Sequence, residues 1–171
     1  MQKTFLAVVS TKLAEDCCCQ QPSELDIGQE ALHIFLAWLI SRDLSGVTIS
    51  QEPLAQAWNF GAQYDIPEFQ DAVMHQLMPC LREDHVDPDA VIEAYAADER
   101  DTKLQRAFIA QIAIDMRRRD EYRWERSTFI DHDMEELQGF YLDVIEALRE
   151  SDGNTRLNIT DYLYRDQDDT E

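Results

Sequence analysis

The run Leu32-His33-Ile34-Phe35-Leu36-Ala37-Trp38-Leu39-Ile40 constrains this chain more than any other part of it. Its apolar residues cover nearly every side of a helical spiral, so a helix here is expected to be buried almost all round. After a polar turn, Leu54, Ala57, Trp58 and Gly61 fall on one helical face. That second helix breaks at Asp65-Ile66-Pro67, where a third can begin. The stretch from Ile34 to Phe69 therefore predicts a buried helix, a short connection, a second helix and an immediate third, forming a compact core unit.

With 171 residues, the chain is long enough to bury a real core as one domain. Five glycines and five prolines are few breakers for long periodic runs, which favours helix. The formal net charge of -20 repels phosphate backbones and anionic membrane surfaces, and basic protein patches are its natural complement. Solubility alone is the other reading of that charge. No apolar run approaches the ~18 residues of a membrane span. The apolar core Phe5 to Val9 is too short for a secretory signal. Cys17, Cys18, Cys19 and Cys80 lack the paired spacing of a disulfide scaffold and read as reduced thiols of a cytosolic or nuclear protein.

In chain order, Leu6, Val9 and Leu13 share the face of a short helix over Thr4 to Leu13. Leu25-Asp26-Ile27 and Val47-Thr48-Ile49 each suit a short strand. Ser50 is placed to cap the second core helix, with Pro53 in its first turn. Asp65 and Glu68 have the spacing of a capping box for the third, whose face carries Phe69, Val73, Gln76, Leu77 and Cys80 and which should stop near Leu81 because of Pro79. Asp87-Pro88 opens a short helix with Val91, Ile92, Tyr95 and Ala96. Thr102 can cap a longer one with Leu104, Phe108, Ile109, Ile112 and Met116, closed by Arg117-Arg118-Arg119 at the negative end of its dipole.

Asp131 or Asp133 should start a last long helix. Met134, Leu137, Tyr141, Val144, Ile145 and Leu148 form its stripe, the cleanest amphipathic pattern in the chain. The stripe either packs on the preceding helices or docks into a groove on another protein. Beyond it, 151–171 reads as an acidic tail, with Asp166 to Glu171 disordered.

Patterns that carry chemistry are weak. Three adjacent cysteines point in different directions and do not make the ligand pairs of a structural zinc site, so loop thiols are the simpler reading. The triplet has no basic or apolar flank for acylation. His33 reads as a boundary residue, His75 as lying on a polar face, and Asp131-His132-Asp133 as a helix start. A nucleophile built from Cys80 with His75 or His85 would need an orienting group as well. The arginine triplet near Tyr122 and Trp124 sits among acids, which suits a helix end better than a nucleic-acid patch. No phosphate-binding loop, dinucleotide fingerprint or nucleophile elbow is present. No cofactor and no metal is expected, and no enzyme.

Phe35-Leu36-Ala37-Trp38-Leu39-Ile40, preceded by Leu25-Asp26-Ile27 and followed by Ala57-x-x-Phe60-x-x-x-Tyr64-Asp65-Ile66-Pro67-x-Phe69, resembles the second half of a BTB/POZ domain. The form common in filamentous fungi is the most similar, with an F-x-x-x-W-L-Y helix and a K-Y-x-I-P-x-L turn. Ile40 stands in place of the usual tyrosine. Lys3, Leu6 and Ser10 match the family's H-K-x-x-L-x-x-x-S helix, with Gln2 in place of its histidine. The resemblance covers about Gln2 to Leu81, and Asp87 to Met116 is similar to the helix pair that follows many BTB domains. The family's first β-hairpin would precede Lys3, so a core lacking that hairpin is expected, which puts a swapped homodimer in doubt.

The expected fold is mainly α (α+β), with a BTB/POZ-like helical core and a small partial β-sheet over 1–82, a helical extension over 83–150 and the tail. The resemblance implies a protein–protein interaction module, an adaptor that links a cullin-type ubiquitin ligase to a substrate. No cullin-contact motif matches residue by residue. The alternatives are a structural, self-associating module and a small enzyme using Cys80 or the histidines. Partners are expected to be proteins, a cullin or a second copy, with neither nucleic acid nor membrane among them. The candidate contact residues are Phe35, Trp38 and Tyr64 from the resemblance, and Met134, Leu137 and Tyr141 from the stripe.

Overall fold

A computed structural model of the chain describes residues 10–16, 27–45, 49–83, 85–96, 101–117, 134, 137–150 and 157–164. They form seven α-helices: α1 (Thr11–Asp16), α2 (Gln29–Ser41), α3 (Gln51–Gln63), α4 (Pro67–Glu83), α5 (Pro88–Ala96), α6 (Lys103–Arg117) and α7 (Phe140–Glu150). A 3-10 turn follows at Ile159–Tyr162. There is no strand among the described residues. Ile27 and Ile49, the ends of the two expected strands, are irregular, and both pack half-buried against the core. Apolar burial uses their side chains without a ladder partner. Leu25, Asp26, Val47 and Thr48 lie outside the described residues, as do Cys17 to Cys19, His132 and the Asp166–Glu171 segment.

Helix α3 is the centre of the arrangement and touches α2, α4 and α5. Leu54, Ala57, Trp58 and Gly61 are all buried, as their shared face requires. Pro53 sits in the first turn, where its missing N–H leaves no gap in the ladder. Ser50 holds the extended cap position, but its hydroxyl makes no capping bond. The neighbouring Gln51 is what ties this end down. Its buried amide donates to the His85 carbonyl at 2.7 Å and accepts from the Asp87 N–H at 2.9 Å. Both halves of one side chain thus pin the α4–α5 connection to the start of α3.

The α3–α4 connection differs from a capping box. Asp65 has φ 53°, the left-handed conformation that ends helices. Its N–H reaches the Ala62 carbonyl at 3.2 Å, and the Ile66 N–H reaches the Gly61 carbonyl at 2.9 Å. Together these are the two bonds of a Schellman motif. Asp65 therefore closes α3 instead of opening α4. Ser10 locks the same corner, donating to the Tyr64 carbonyl at 2.6 Å while accepting the Leu13 N–H at 3.1 Å as the cap of α1.

A Cβ added at Gly61 would lie 2.7 Å from Gln70 Cγ and 3.2 Å from Phe69 Cδ1. Both side chains are buried, so neither can swing away freely. Gly61→Ala should gain about 1 kcal/mol of helix propensity. Overpacking costs about 1–3 kcal/mol, and here it should prevail. A lowered urea midpoint for G61A is the expected result; a raised one would show that α3 and α4 can separate cheaply.

The later caps follow the sequence. The Asp87 carboxylate accepts the Asp89 N–H at 3.0 Å at the start of α5. Thr102 and Gln105 bond each other's backbone N–H at 3.1 Å both ways, a full capping box for α6. Helix α4 runs through Pro79 to Glu83, two residues past its expected end.

The last helix is a correction. The stripe from Met134 predicts a helix from Asp131 or Asp133, yet α7 begins at Phe140. Gly139 has φ 93°, which a continuous right-handed helix cannot contain. Met134 is buried, Phe140 and Val144 bury the inner side of α7, and the helix packs on α6. Arg117 stands in the last turn of α6, as expected for a cation at the negative end of its dipole, and also donates to the Leu148 carbonyl in the last turn of α7, at 3.1 Å from Nε. Residues 157–164 also join the core: Leu157 and Leu163 are buried, and the 3-10 turn contacts α4 and α6.

Candidate functional site

Of the six residues singled out by sequence, four are interior. Phe35, Trp38, Tyr64 and Met134 are each no more than 4% exposed. Phe35 lies 5.0 Å from Phe60 and 5.2 Å from Phe69, ring centre to ring centre, and Trp38 lies 5.1 Å from Phe69. The Tyr64 ring packs 4.7 Å from Phe60. These aromatics hold α2, α3 and α4 together rather than facing a partner. Leu137 is half-buried against the core, and Tyr141 is exposed on α7. Met134 belongs to the core and Leu137 packs against it, so only Tyr141 of the six offers an exposed side chain.

Helix α2 is not buried all round. Ala31, Ile34, Phe35 and Trp38 face inward, while Leu36 is 43% exposed and Ile40 is 86% exposed. The neighbours α3 and α4 cover one side of it, and an apolar crest remains on the other. The helix ends at Arg42, whose left-handed φ of 58° turns the chain and lays its guanidinium over the Trp38 ring at 4.4 Å. A rigid aromatic layer therefore lies beneath the crest. On α7, Tyr141, Leu142 and Ile145 form a second exposed apolar strip.

A cleft of about 630 Å³ opens between the α5–α6 region, α7 and the 3-10 turn. Ile109, Ala110, Ala147, Tyr95 and Tyr162 supply apolar and aromatic lining. Asp143, Glu146 and Glu150, spaced three and four apart on α7, face it, joined by Asp101 and Asp161. The Tyr95 hydroxyl donates to Asp143 Oδ2 at 2.6 Å. Burial, and then that bond and the carboxylate charge, push the Tyr95 hydroxyl pKa far up. Burial and Asp161 raise that of Tyr162, against the opposing pull of Arg106. Both hydroxyls stay protonated donors at neutral pH. Arg106, the one cation among the described lining residues, pairs with Asp101 at 3.5 Å.

The groups considered for chemistry lie elsewhere. Cys80 is half-buried on α4, and its thiol donates to the Gln76 carbonyl at 3.3 Å. His33, His75 and His85 are exposed. Among the described residues, no three His, Cys, Asp or Glu side chains are grouped to hold a metal ion. Nor is any described helix long and apolar enough to cross a membrane. The chain matches no protein-family model, no curated protein and no solved structure.

Sequence reasoning missed the cleft. Its walls come from α5, α6, α7 and the 3-10 turn, and the Tyr95–Asp143 bond joins residues 48 apart. The three-and-four spacing of Asp143, Glu146 and Glu150 was the one local signal. It was overshadowed by the apolar stripe on the same segment.

Proposed function

We propose that this protein is a protein–protein interaction module and, on the BTB/POZ resemblance, an adaptor that presents a substrate to a cullin-type ubiquitin ligase. One observation carries the reading: the apolar crest of α2. Leu36 and Ile40 stand one helical turn apart, as anchors for a partner's groove do. An isoleucine 86% exposed gains nothing from folding, whereas a partner that covers it gains its burial. The aromatic layer beneath fixes the crest, so little ordering is required on binding.

The resemblance implies a cullin contact around the tryptophan-containing helix and the helices that follow it. Because Trp38 and Phe35 are interior, the crest supplies the contact and those aromatics support it. Immobilised cullin should retain the native chain and lose a Leu36→Asp/Ile40→Asp variant, whose sites are exposed enough to leave the fold intact. Failure of the native chain to be retained sinks the adaptor reading. Elution of the native chain at twice its mass from a sizing column, abolished in the same variant, would assign the crest to self-association instead.

A further inference from the structure

The α5–α6–α7 cleft differs from the crest in shape and charge. Its floor is apolar and aromatic, made by buried or half-buried Ile109, Ala110 and Ala147 and by the rings of Tyr95 and Tyr162. Among the described residues, its rim carries five carboxylates against the one guanidinium of Arg106, which already pairs with Asp101. A volume of about 630 Å³ accommodates several side chains of a polypeptide.

On the reading of the chain as an interaction module, we propose that this cleft is the docking groove for a basic segment of a partner protein. Lysine or arginine side chains of that segment lie along the floor and end among Asp143, Glu146, Glu150 and Asp161. The pairing follows from the groove's two halves. Long basic side chains have an apolar stem and a charged head, and they bury the one while keeping the other among polar groups. Ile109, Ala110 and Ala147 suit the stems, and the α7 carboxylates suit the heads.

The carboxylates repel an acidic or phosphorylated segment, and a wholly apolar one would strip them of water without compensation. Tyr95 reinforces this selectivity, because its hydroxyl is committed to Asp143 and holds that carboxylate at the groove. The chain's net charge of -20 adds a long-range field that draws a basic partner in, and the cleft gives that partner a place to lodge.

The test uses the full chain and a fluorescein-labelled helical peptide with lysine and leucine at helical spacing, followed by anisotropy at about 0.1 M salt. Asp143→Asn/Glu146→Gln/Glu150→Gln removes three charges from exposed positions, and asparagine can still accept the Tyr95 hydroxyl. This triple variant should weaken binding about tenfold or more. A control of equal charge, Glu30→Gln/Glu68→Gln/Glu83→Gln, should change it by less than about twofold. In the native chain, amide resonances of Ala110 and Ala147 should move on titration.

Equal losses in both variants would show a diffuse field rather than a groove and overturn the proposal. So would spermine binding as tightly as the peptide, since a polypeptide groove must read more than charge. The two readings fail separately. Cleft-dependent peptide binding without cullin retention removes the adaptor role and keeps the groove; cullin retention without cleft-dependent binding does the reverse.

Discussion

Phe69→Ala is expected to lower the free energy of unfolding by about 3–5 kcal/mol. Phe69 is fully buried in the first turn of α4, and its ring meets Phe35 at 5.2 Å and Trp38 at 5.1 Å. It ties α4 to α2, because both of these partners are α2 residues. Truncation removes the transfer energy of the ring and leaves a cavity walled by two other rings. Phe35 is held by Phe60, and Trp38 by Phe35 and the overlying Arg42, so the rings cannot collapse into it fully. Domains of this kind are stable by only about 5–15 kcal/mol, so the loss is a large share of the total.

Urea unfolding followed by tryptophan fluorescence reports directly, since Trp38 lies against the deleted ring. Leu36→Ala on the same layer's outer face should cost no more than about 0.5 kcal/mol. A Phe69→Ala loss below about 1 kcal/mol would mean that the aromatic layer does not hold α2 in place, and the α2 crest would lose its rigid support.

What the sequence revealed, and what it concealed, divides by range. Local grammar was legible. Asp87 and Thr102 cap the helices they precede, Pro53 sits in a first turn, and Phe35, Trp38 and Trp58 are core. These outcomes depend on neighbours within a turn or two. Helix α2 misled because its composition is apolar on every side, whereas burial depends on how many neighbours arrive. They covered Ile34 and Phe35 and left Ile40 in water. The stripe from Met134 misled for a different reason. Its spacing runs unbroken through Gly139, but the backbone there turns left-handed and periodicity cannot register it. The candidate cleft was almost wholly hidden. Its walls come from four elements, and whether the α7 acids face solvent or a cleft is decided by α5 and α6, dozens of residues earlier.

The same long-range logic makes the segment after α7 the site of the second large effect. Composition marks 151–171 as an acidic tail, yet two cations from distant helices seize its backbone. Arg82 donates to the Leu157 carbonyl, 75 residues away, and the Lys103 ammonium to the Leu163 carbonyl, 60 away. Lys103 is only 6% exposed, and its ammonium sits 3.9 Å from the centre of the Tyr164 ring. Tyr164 in turn stacks on Trp58 at 6.5 Å, and its N–H donates to Asp71 Oδ1 at 2.7 Å. A buried lysine is costly unless it is satisfied, and the segment supplies a carbonyl and a ring to satisfy it.

Lys103→Ala removes the charged donor, leaves the Leu163 carbonyl without that partner and deletes the stem that packs at the start of α6. A charge-assisted hydrogen bond contributes about 1.5–3 kcal/mol, and a desolvated cation–π contact about 2 kcal/mol. With part of each recovered by water, a net loss of about 2–4 kcal/mol is expected. Lys103→Met keeps the stem and should lose less, so the difference between the two variants isolates packing from charge. Hydrogen exchange locates the effect: the Tyr164 amide should lose protection in both variants before amides at the centre of α3 do. Unchanged protection at Tyr164 would mean that Leu157 and Leu163 hold the segment by burial alone, and that Lys103 is a spectator to a contact made without it.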